Sequence, residues 1–277
     1  MYCDAHFHIV QCSIQKGTRF VVPEGGYRAC SCAHDVQEFE LQCRLAAEAQ
    51  ADDCRCRIFS SFGMHPQMPL VQNADFLEQL LSMQAIDAIG EAGFDFFTEE
   101  FRKTESSQDT AWAIQTELAV QYNRPLIVHC RKALDRIFRD SRILRKIPSV
   151  IFHSFAGGPV EARSLLNRGI NAYFSFGKPL LNGNKRSIAC VKELPVEHLL
   201  LETDAPFQTL KGEVQTQPEE IRRVYAAAVK LQELESSQER SFLNQIENNF
   251  RTVYGTEPVR VIRAPLSTEV ESLHTPK

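Results

Sequence analysis

The sequence lacks an excess of basic residues. Its 31 lysines and arginines stand against 35 aspartates and glutamates, so the formal net charge is −4 and the pI is about 6.1. Proteins that bind nucleic acid over a broad surface are usually basic. Any nucleic-acid substrate of this chain must therefore be held by a local basic patch or by metal ions.

Long apolar runs are missing as well. No stretch reaches the length needed to span a bilayer, and no basic-then-apolar leader precedes Asp4. We therefore expect a cytoplasmic protein without a membrane partner. The 277 residues are enough for one large α/β domain or two small ones.

The C-x-x-C spacing typical of zinc sites is also absent. The nine cysteines include two C-x-C pairs, Cys30 with Cys32 and Cys54 with Cys56. Alternate residues of a strand can both face the core, where a free cysteine behaves as a small apolar residue. We interpret the pairs as free thiols in a reducing compartment, with a structural zinc site or a redox pair as the alternative.

What the sequence does contain is an alternation of short apolar runs with longer amphipathic ones. Strands are expected at eight places: Tyr2 to His8, Tyr27 to Cys32, Arg57 to Phe62, Ala85 to Glu91, Pro125 to His129, Ser149 to His153, Ile170 to Phe176 and His198 to Glu202. The predicted helices are Val36 to Gln50, Asn73 to Met83, Thr110 to Tyr122, Ala133 to Lys146, Val160 to Arg168, Lys185 to Glu193, Pro218 to Glu233 and Gln238 to Tyr254. This alternation favours an α/β protein with a (β/α)8 TIM barrel, and a doubly wound open sheet is the competing architecture.

Candidate metal ligands lie at the ends of these strands. His6 and His8 are two residues apart, so a strand points both rings to one face. Four more candidates end other strands: Glu91, His129, His153 and Asp204. In a parallel barrel the carboxyl ends of all strands meet at one face, which would bring the six together.

The chemistry of this set indicates two metal ions. Imidazole and carboxylate are ligands for zinc, manganese and similar divalent ions. Four histidines and two carboxylates exceed what one tetrahedral ion requires and suit two ions with a bridging carboxylate. Such a site activates water and stabilises the leaving oxygen of a phosphodiester. Each residue alone could be an ordinary buried polar group, but six at the ends of five strands are improbable as coincidence.

Several neighbours of these residues are candidates for supporting roles. Asp4 and Glu202 share a strand face with His6 and Asp204, so either could orient a ligand. Asp4 could equally be solvated or cap the backbone, and Glu202 could also carry a proton. Arg131 follows His129 and could clamp a phosphate oxygen. His65, in a loop, could contact a phosphate or the leaving group, or simply face water. Weaker candidates are Phe155, which could stack on a base or equally well pack its loop, and the Gly177-Lys178 turn, which could contact a phosphate.

Together these segments resemble the TatD family of metal-dependent deoxyribonucleases, from residue 1 to about Tyr254. The matching segments are, in chain order, Asp4-x-His6-x-His8, Gly63-Met64-His65-Pro66, Gly90-Glu91-x-Gly93-x-Asp95, Pro125-Leu126-Ile127-Val128-His129-x-Arg131, His153-Ser154-Phe155-x-Gly157 and Leu200-Leu201-Glu202-Thr203-Asp204-Ala205-Pro206. The Glu-Thr-Asp-Ala-Pro segment and the paired histidines are specific in combination.

The resemblance implies a TIM-barrel hydrolase of the amidohydrolase-like superfamily, with residues 1–255 as one domain and 256–277 as a tail. It implies cleavage of DNA phosphodiesters, in a 3'-5' direction on single strands. One ion would be held by His6, His8 and Asp204, and the second by His129 and His153, with Glu91 as the bridge. The two divalent ions would be zinc, magnesium or manganese.

On this hypothesis the catalytic residues are Asp204, Glu202, Arg131 and His65. Asp204 or Glu202 accepts the proton of the activated water, and Arg131 neutralises phosphate charge. We favour a monomer with single-stranded DNA as its substrate. The alternatives are an amidohydrolase-type enzyme for a small ester, amide or phosphoester, and a non-catalytic scaffold that keeps a metal site.

Overall fold

A computed structural model describes residues 1–16 and 20–259 of the chain, without the side chains of residues 14–16 and 236. The tail predicted for residues 256–277 lies outside the described residues from residue 260 onward.

The described residues contain eight parallel strands that neighbour one another in chain order. The strands are β1 Tyr2–Phe7, β2 Tyr27–Ala33, β3 Arg57–Phe62, β4 Ala88–Asp95, β5 Leu126–Arg131, β6 Val150–Phe152, β7 Ala172–Phe176 and β8 Leu199–Leu201. The residues after β8 return to β1: the Asp204 N–H donates to the His6 carbonyl at 2.9 Å, and the His8 N–H donates to the Ala205 carbonyl at 2.8 Å. The sheet thereby closes on itself, and the predicted (β/α)8 barrel is confirmed.

Eleven α-helices surround the barrel within the described ranges. They are α1 Ile9–Lys16, α2 Val36–Asp52, α3 Ala74–Ser82, α4 Glu99–Arg102, α5 Glu105–Gln121, α6 Leu134–Arg139, α7 Ser141–Leu144, α8 Pro159–Asn167, α9 Lys185–Glu193, α10 Ile221–Leu231 and α11 Ser236–Tyr254. Two of them, α1 and α4, were not expected from the sequence. The helix predicted from Ala133 to Lys146 is interrupted at Asp140, which separates α6 from α7.

The alternation of side chains along each strand builds two cores. On β5, Leu126 and Val128 pack outward against the helices, while Ile127 packs with the residues that fill the barrel. Every side chain from Leu126 to Val128 is fully buried, as expected of a parallel strand covered on both faces. This explains why the strands read as continuous apolar runs.

The barrel interior is closed at one end by α11. Phe250, Val253 and Tyr254 join the inner core, and the Tyr254 hydroxyl donates to the Ala5 carbonyl at 2.9 Å. The metal candidates lie at the other end, where the strands finish, so α11 forms the floor below the site. None of the helices in the described part of the chain is both long and apolar enough to cross a membrane.

Candidate metal centre

Glu91 is the midpoint of the site. Its side chain, 2% exposed, is surrounded by six imidazoles from five strand ends. Oε1 faces Nε2 atoms of three rings, His34 at 3.3 Å, His6 at 3.4 Å and His8 at 3.6 Å. Oε2 faces the other three, His153 Nε2 at 2.6 Å, His129 Nδ1 at 3.3 Å and His65 Nε2 at 3.6 Å. The predicted ligands are therefore brought together, along with two more histidines.

The first half of the centre is built by β1 and the segment after β8. His6 is the last residue but one of β1, and Phe7, which ends the strand, points to the outer core. His8 follows on the same side as His6. Their Nε2 atoms lie 3.2 Å apart, and each is 3.5 Å from Asp204 Oδ1. The hydrogen bond from the Asp204 N–H to the His6 carbonyl holds the two chain segments together.

Asp95 and β5 shape the second half. His129 Nδ1 lies 3.1 Å from His153 Nε2, so both nitrogens face the same space beside Glu91 Oε2. The other nitrogen of His129, Nε2, is 3.0 Å from Asp95 Oδ2. That carboxylate fixes which nitrogen of His129 points inward, a common arrangement around metal-binding histidines.

The spacing of these atoms fits divalent ions. Two donors bound about 2.1 Å from one tetrahedral ion lie about 3.4 Å apart, longer than an ordinary hydrogen bond. The separations among His6, His8, Glu91 and Asp204 are 3.2 to 3.6 Å. Three sets of potential ligands converge closely enough for an ion: His6 with His153 and Asp204, His6 with His8 and Glu91, and His65 with Glu91 and His129.

The ionisation states of His6, His65 and Glu91 suit metal binding, whereas His153 must lose a proton before it binds a cation. Burial lowers the pKa of His6 to about 4 and that of His65 to about 3, so both rings are neutral and keep a lone pair for a cation. Burial would raise the pKa of Glu91, but the surrounding imidazoles, His153 foremost, hold it well below its ordinary value. In His153 the effect of burial is outweighed by the Glu91 carboxylate, which raises its pKa to about 9.

Three of the residues assigned catalytic roles lie near the candidate ligands, at different distances from them. Glu202 is fully buried, accepts hydrogen bonds from the Ser154 N–H and hydroxyl at 2.7 Å, and lies 3.9 Å from His153 Nδ1. His65 reaches Glu91 directly and is only 13% exposed, so it is not a water-facing loop residue. Arg131 is at the rim: its Nη1 is 3.7 Å from Asp95 Oδ2, and its side chain is 41% exposed.

The structure decides against the functional role of three weaker candidates. Asp4 does not contact an imidazole: it accepts hydrogen bonds from the Tyr27 hydroxyl, the Thr203 N–H and the Thr203 hydroxyl, and so fastens β1 to the segment after β8. Lys178 is buried and pairs with Glu213 and Glu220 instead of facing a phosphate. Phe155 is buried against Phe174 and cannot stack on a base.

Sequence reasoning missed three residues that shape the centre. His34 directly follows β2, and its position after a predicted strand was the signal that could have found it. Asp95 stood inside a quoted motif without a role. Cys32 Sγ lies 3.3 Å from His6 Nδ1 and 2.8 Å from the Ser61 hydroxyl. A proton on His6 Nδ1 that is shared with this sulfur leaves Nε2 free to face the carboxylates.

The members of the two C-x-C pairs differ in their surroundings. Cys30 and Cys32 both face the barrel interior, Cys54 is exposed and Cys56 is buried. None of the convergent ligand sets found among the described residues contains a cysteine.

Comparison with known proteins agrees with the geometry. The family model described as TatD related DNase matches residues 3–255. The chain is 31% identical over 223 residues to the 3'-5' ssDNA/RNA exonuclease TatD of Edwardsiella piscicida, which covers 75% of this chain and 80% of that protein. It is 31% identical over 160 residues to the uncharacterized metal-dependent hydrolase YabD of Bacillus subtilis, covering 55% of this chain and 60% of that protein.

Solved structures match in fold. The crystal structure of YJJV, a TatD homolog from Escherichia coli, aligns with a TM-score of 0.71 at 22% identity, covering 92% of this chain and 98% of that one. A TatD family hydrolase from Entamoeba histolytica aligns with a TM-score of 0.66 at 17% identity, covering 92% of this chain and 98% of that one.

Proposed function

Because this chain belongs to the family of TatD-related DNases, we propose that it is a metal-dependent nuclease that hydrolyses phosphodiester bonds of single-stranded DNA. The observation that carries the proposal is Glu91, a buried carboxylate with three imidazoles facing each of its oxygens. A carboxylate in that position can serve two cations at once, which suits a reaction at a phosphodiester, whose phosphate carries a negative charge.

We propose that two divalent ions, zinc, magnesium or manganese, bind at this centre. His6, His8 and Asp204 would hold one and His129 and His153 the other, with Glu91 between them. Bound there, such ions would make a water nucleophilic near neutral pH and offset the charge on the phosphate. The separations between ligand nitrogens, 3.2 Å for His6 and His8 and 3.1 Å for His129 and His153, support this assignment, because one cation can bind both nitrogens of each pair at such a distance.

The chain's own groups would then handle the proton and the phosphate. Asp204 is ionised, since His8 and His6 hold its pKa below the ordinary value against the effect of burial, and it can accept the water proton. Glu202, 3.9 Å from His153 Nδ1, is the next carrier and steadies Ser154. His65 and Arg131 are proposed to contact phosphate oxygens from the open side of the centre.

We extend the proposal to the mode of action by analogy with the relatives. Several are named 3'-5' ssDNA/RNA exonucleases, and the first of them aligns over most of its length. Removal of nucleotides from a 3' end, a monomeric state and a cytoplasmic location are all parts of this proposal. So is the division into a catalytic domain over residues 1–255 and a tail over 256–277.

The test is hydrolysis of single-stranded DNA labelled at its 5' end. The chelator-treated chain is assayed with added magnesium, manganese or zinc, beside a panel of small esters, amides and phosphoesters. We expect a ladder of shortened products that depends on metal, and no turnover by Asp204→Asn despite an unchanged circular dichroism spectrum. Turnover of an amide or ester with intact DNA would instead favour the amidohydrolase alternative. Full nuclease activity of Asp204→Asn would refute the proposed role of that carboxylate.

A further inference from the structure

Two phenylalanines beside the centre are exposed, whereas the others are not. Phe97 is 49% exposed and Phe207 50%, while each of the remaining sixteen phenylalanines is buried or partly buried. An exposed ring costs hydrophobic free energy and is unusual in a chain that buries its aromatics so consistently. Their location is therefore informative.

Phe207 lies against the first half of the centre. Its ring meets the ring of His8 edge to face, with the centroids 5.0 Å apart and the planes at 78°. Its N–H donates to the Asp204 carbonyl at 2.7 Å, so the backbone that carries the ring is fixed to a candidate ligand. The exposed part of the ring cannot move far from that half of the centre.

Phe97 is fastened to the second half in a similar way. Its N–H donates to Asp95 Oδ1 at 2.8 Å, and the other oxygen of the same carboxylate contacts His129. The Arg131 guanidinium lies 4.0 Å from the centroid of the Phe97 ring, and the Lys132 ammonium lies 4.5 Å from it. An exposed ring and two cations thus form one cluster next to the centre.

The barrel sets these two rings on different sides of the centre. Phe207 follows β8, which adjoins β1, whereas Phe97 follows β4, and three strands lie between β4 and β8 in either direction around the sheet. Glu91 and its imidazoles lie between them. A strand of nucleic acid whose phosphate sits at the centre would carry one base toward each ring.

We propose that Phe97 and Phe207 are stacking platforms for the two bases that flank the bond to be cleaved, and that Arg131 and Lys132 hold the phosphate beside Phe97. The inference rests on the proposed function and deepens it. Stacking on a protein ring needs a base whose own face is free, so the two platforms select unpaired strands over duplexes. Every base has such a face, so they impose little sequence preference.

Binding of oligothymidylate to the full chain tests the inference. Fluorescence anisotropy is measured in an Asp204→Asn background, which prevents turnover, with Phe97→Ala or Phe207→Ala added. Loss of one stacked base should raise the dissociation constant by about 5- to 100-fold. Phe97→Tyr and Phe207→Tyr keep a ring and should stay within about twofold. Leu243→Ala, which truncates an exposed apolar residue on α11 at the far end of the barrel, is the matched control.

Oligonucleotides with a single abasic residue show whether a ring contacts a base. A ring that only stabilised the fold would not respond to the position of the abasic residue. An abasic residue at the position served by one ring should weaken binding to the background chain, but should weaken binding no further once that ring is alanine. The inference is overturned if both alanine variants bind as tightly as the background chain. It is also overturned if the losses from the alanine substitution and from the abasic residue add in full at every position.

Kinetics of the variants with intact Asp204 separate this inference from the proposed function. Phe97→Ala and Phe207→Ala should raise KM with little change in kcat. If the unaltered chain hydrolyses no DNA, the proposed function fails, yet the anisotropy cycle still decides whether the rings bind bases. If DNA is hydrolysed but the cycle shows no coupling, only the stacking inference fails.

Discussion

His34 was not predicted as a site residue, although it lies within the candidate metal centre. Its Nε2 is 3.3 Å from Glu91 Oε1, closer than the corresponding atoms of His6 and His8. A lone histidine after a strand is more often an ordinary polar residue than a ligand, so its position after a predicted strand was too weak a signal to select it. Its contact with the Glu91 carboxylate helps to fix how that side chain is oriented between the two halves of the centre.

We therefore predict that His34→Gln lowers kcat or metal affinity by about 10- to 100-fold, the usual effect of removing a group that orients a metal ligand. Metal content after dialysis and turnover of labelled single-stranded DNA measure the two effects. His198→Gln is the matched control, because His198 contacts the Ala172 carbonyl near the amino ends of the strands, far from the centre. Equal loss in both variants would mean that the effect is general destabilisation.

Asp87 is a residue whose buried charge should affect stability rather than catalysis. Burial raises its pKa to about 6, although the Ser60 and Val259 N–H groups donate to it and partly oppose the rise. The folded chain therefore keeps a proton on Asp87 at pH values where the unfolded chain has lost it. The associated stability is present below about pH 4 and is lost as the pH rises through about 6.

Asp87→Asn removes this dependence because the amide does not titrate. Between about pH 4.5 and about pH 8, the free energy of unfolding of the variant should rise by about 2 kcal/mol relative to the unaltered chain. Urea unfolding at the two pH values measures the difference. Asp75→Asn, at an exposed position, should leave it unchanged. Parallel behaviour of Asp87→Asn and the unaltered chain would contradict the prediction.

At the scale of elements, apolar runs predicted where strands exist better than where they end. β3 was predicted with its observed bounds, whereas β4 was expected to end at Glu91 and continues to Asp95. The part that was missed contains Gly93, a residue type that is depleted in strands. A side chain there would lie 2.1 Å from the His129 carbonyl, so glycine permits the close approach of β4 and β5 instead of ending the strand.

The candidate ligands were predictable because they follow from the architecture. Residues at the carboxyl ends of parallel strands meet whatever the loops do, so His6, His129 and Asp204 could be grouped from the sequence. Contacts that depend on loop geometry could not. Arg131 was expected at the phosphate, but its relation to Phe97 depends on the turn after β5, and Lys178 was misread because its partners lie in a distant segment.

Buried Lys178 helps to hold the segment that follows β8, from Phe207 to Glu220. Lys178, 1% exposed, pairs with Glu213 and with Glu220, the latter at 3.0 Å. The same segment carries Phe207 and Gln208, and Gln208 hydrogen-bonds to Ser154 near Glu202. Removing Lys178 leaves these two carboxylates paired with the exposed Arg223, at 3.3 Å and 2.6 Å, but without a buried cation, so the segment should loosen where it contacts the centre.

Lys178→Met should therefore lower the midpoint of thermal unfolding by roughly 5 °C or more and raise KM for single-stranded DNA. Differential scanning calorimetry and initial rates measure the two effects. Lys192→Met is the control, since Lys192 pairs with Glu233 at the surface and exposed pairs contribute little. A stable Lys178→Met variant with normal KM would show that the segment is held by other contacts.

At the scale of the whole molecule, the acidic balance limits how nucleic acid can be held. With a net charge of −4 the surface as a whole repels a polyanion, so attraction must come from the metal centre and from a few local cations. Arg131 and Lys132 are such cations, next to an exposed ring. Binding should thus depend only weakly on salt compared with that of basic nucleic-acid-binding proteins.

The salt dependence can be predicted from the number of cations. Two contacts to a single strand give a slope of about −1.4 for log K against log salt, and Arg131→Gln should reduce its magnitude by about 0.7. Anisotropy of labelled oligothymidylate on Asp204→Asn, in the presence of chelator, measures the slope without a contribution from bound metal. Arg240→Gln, at an exposed position on α11, should leave the slope unchanged. Each phosphate neutralised by the protein adds a fixed increment to the slope. A slope several times steeper, or one that Arg131→Gln does not alter, would therefore mean that the strand is held by a broader surface than the Phe97 cluster.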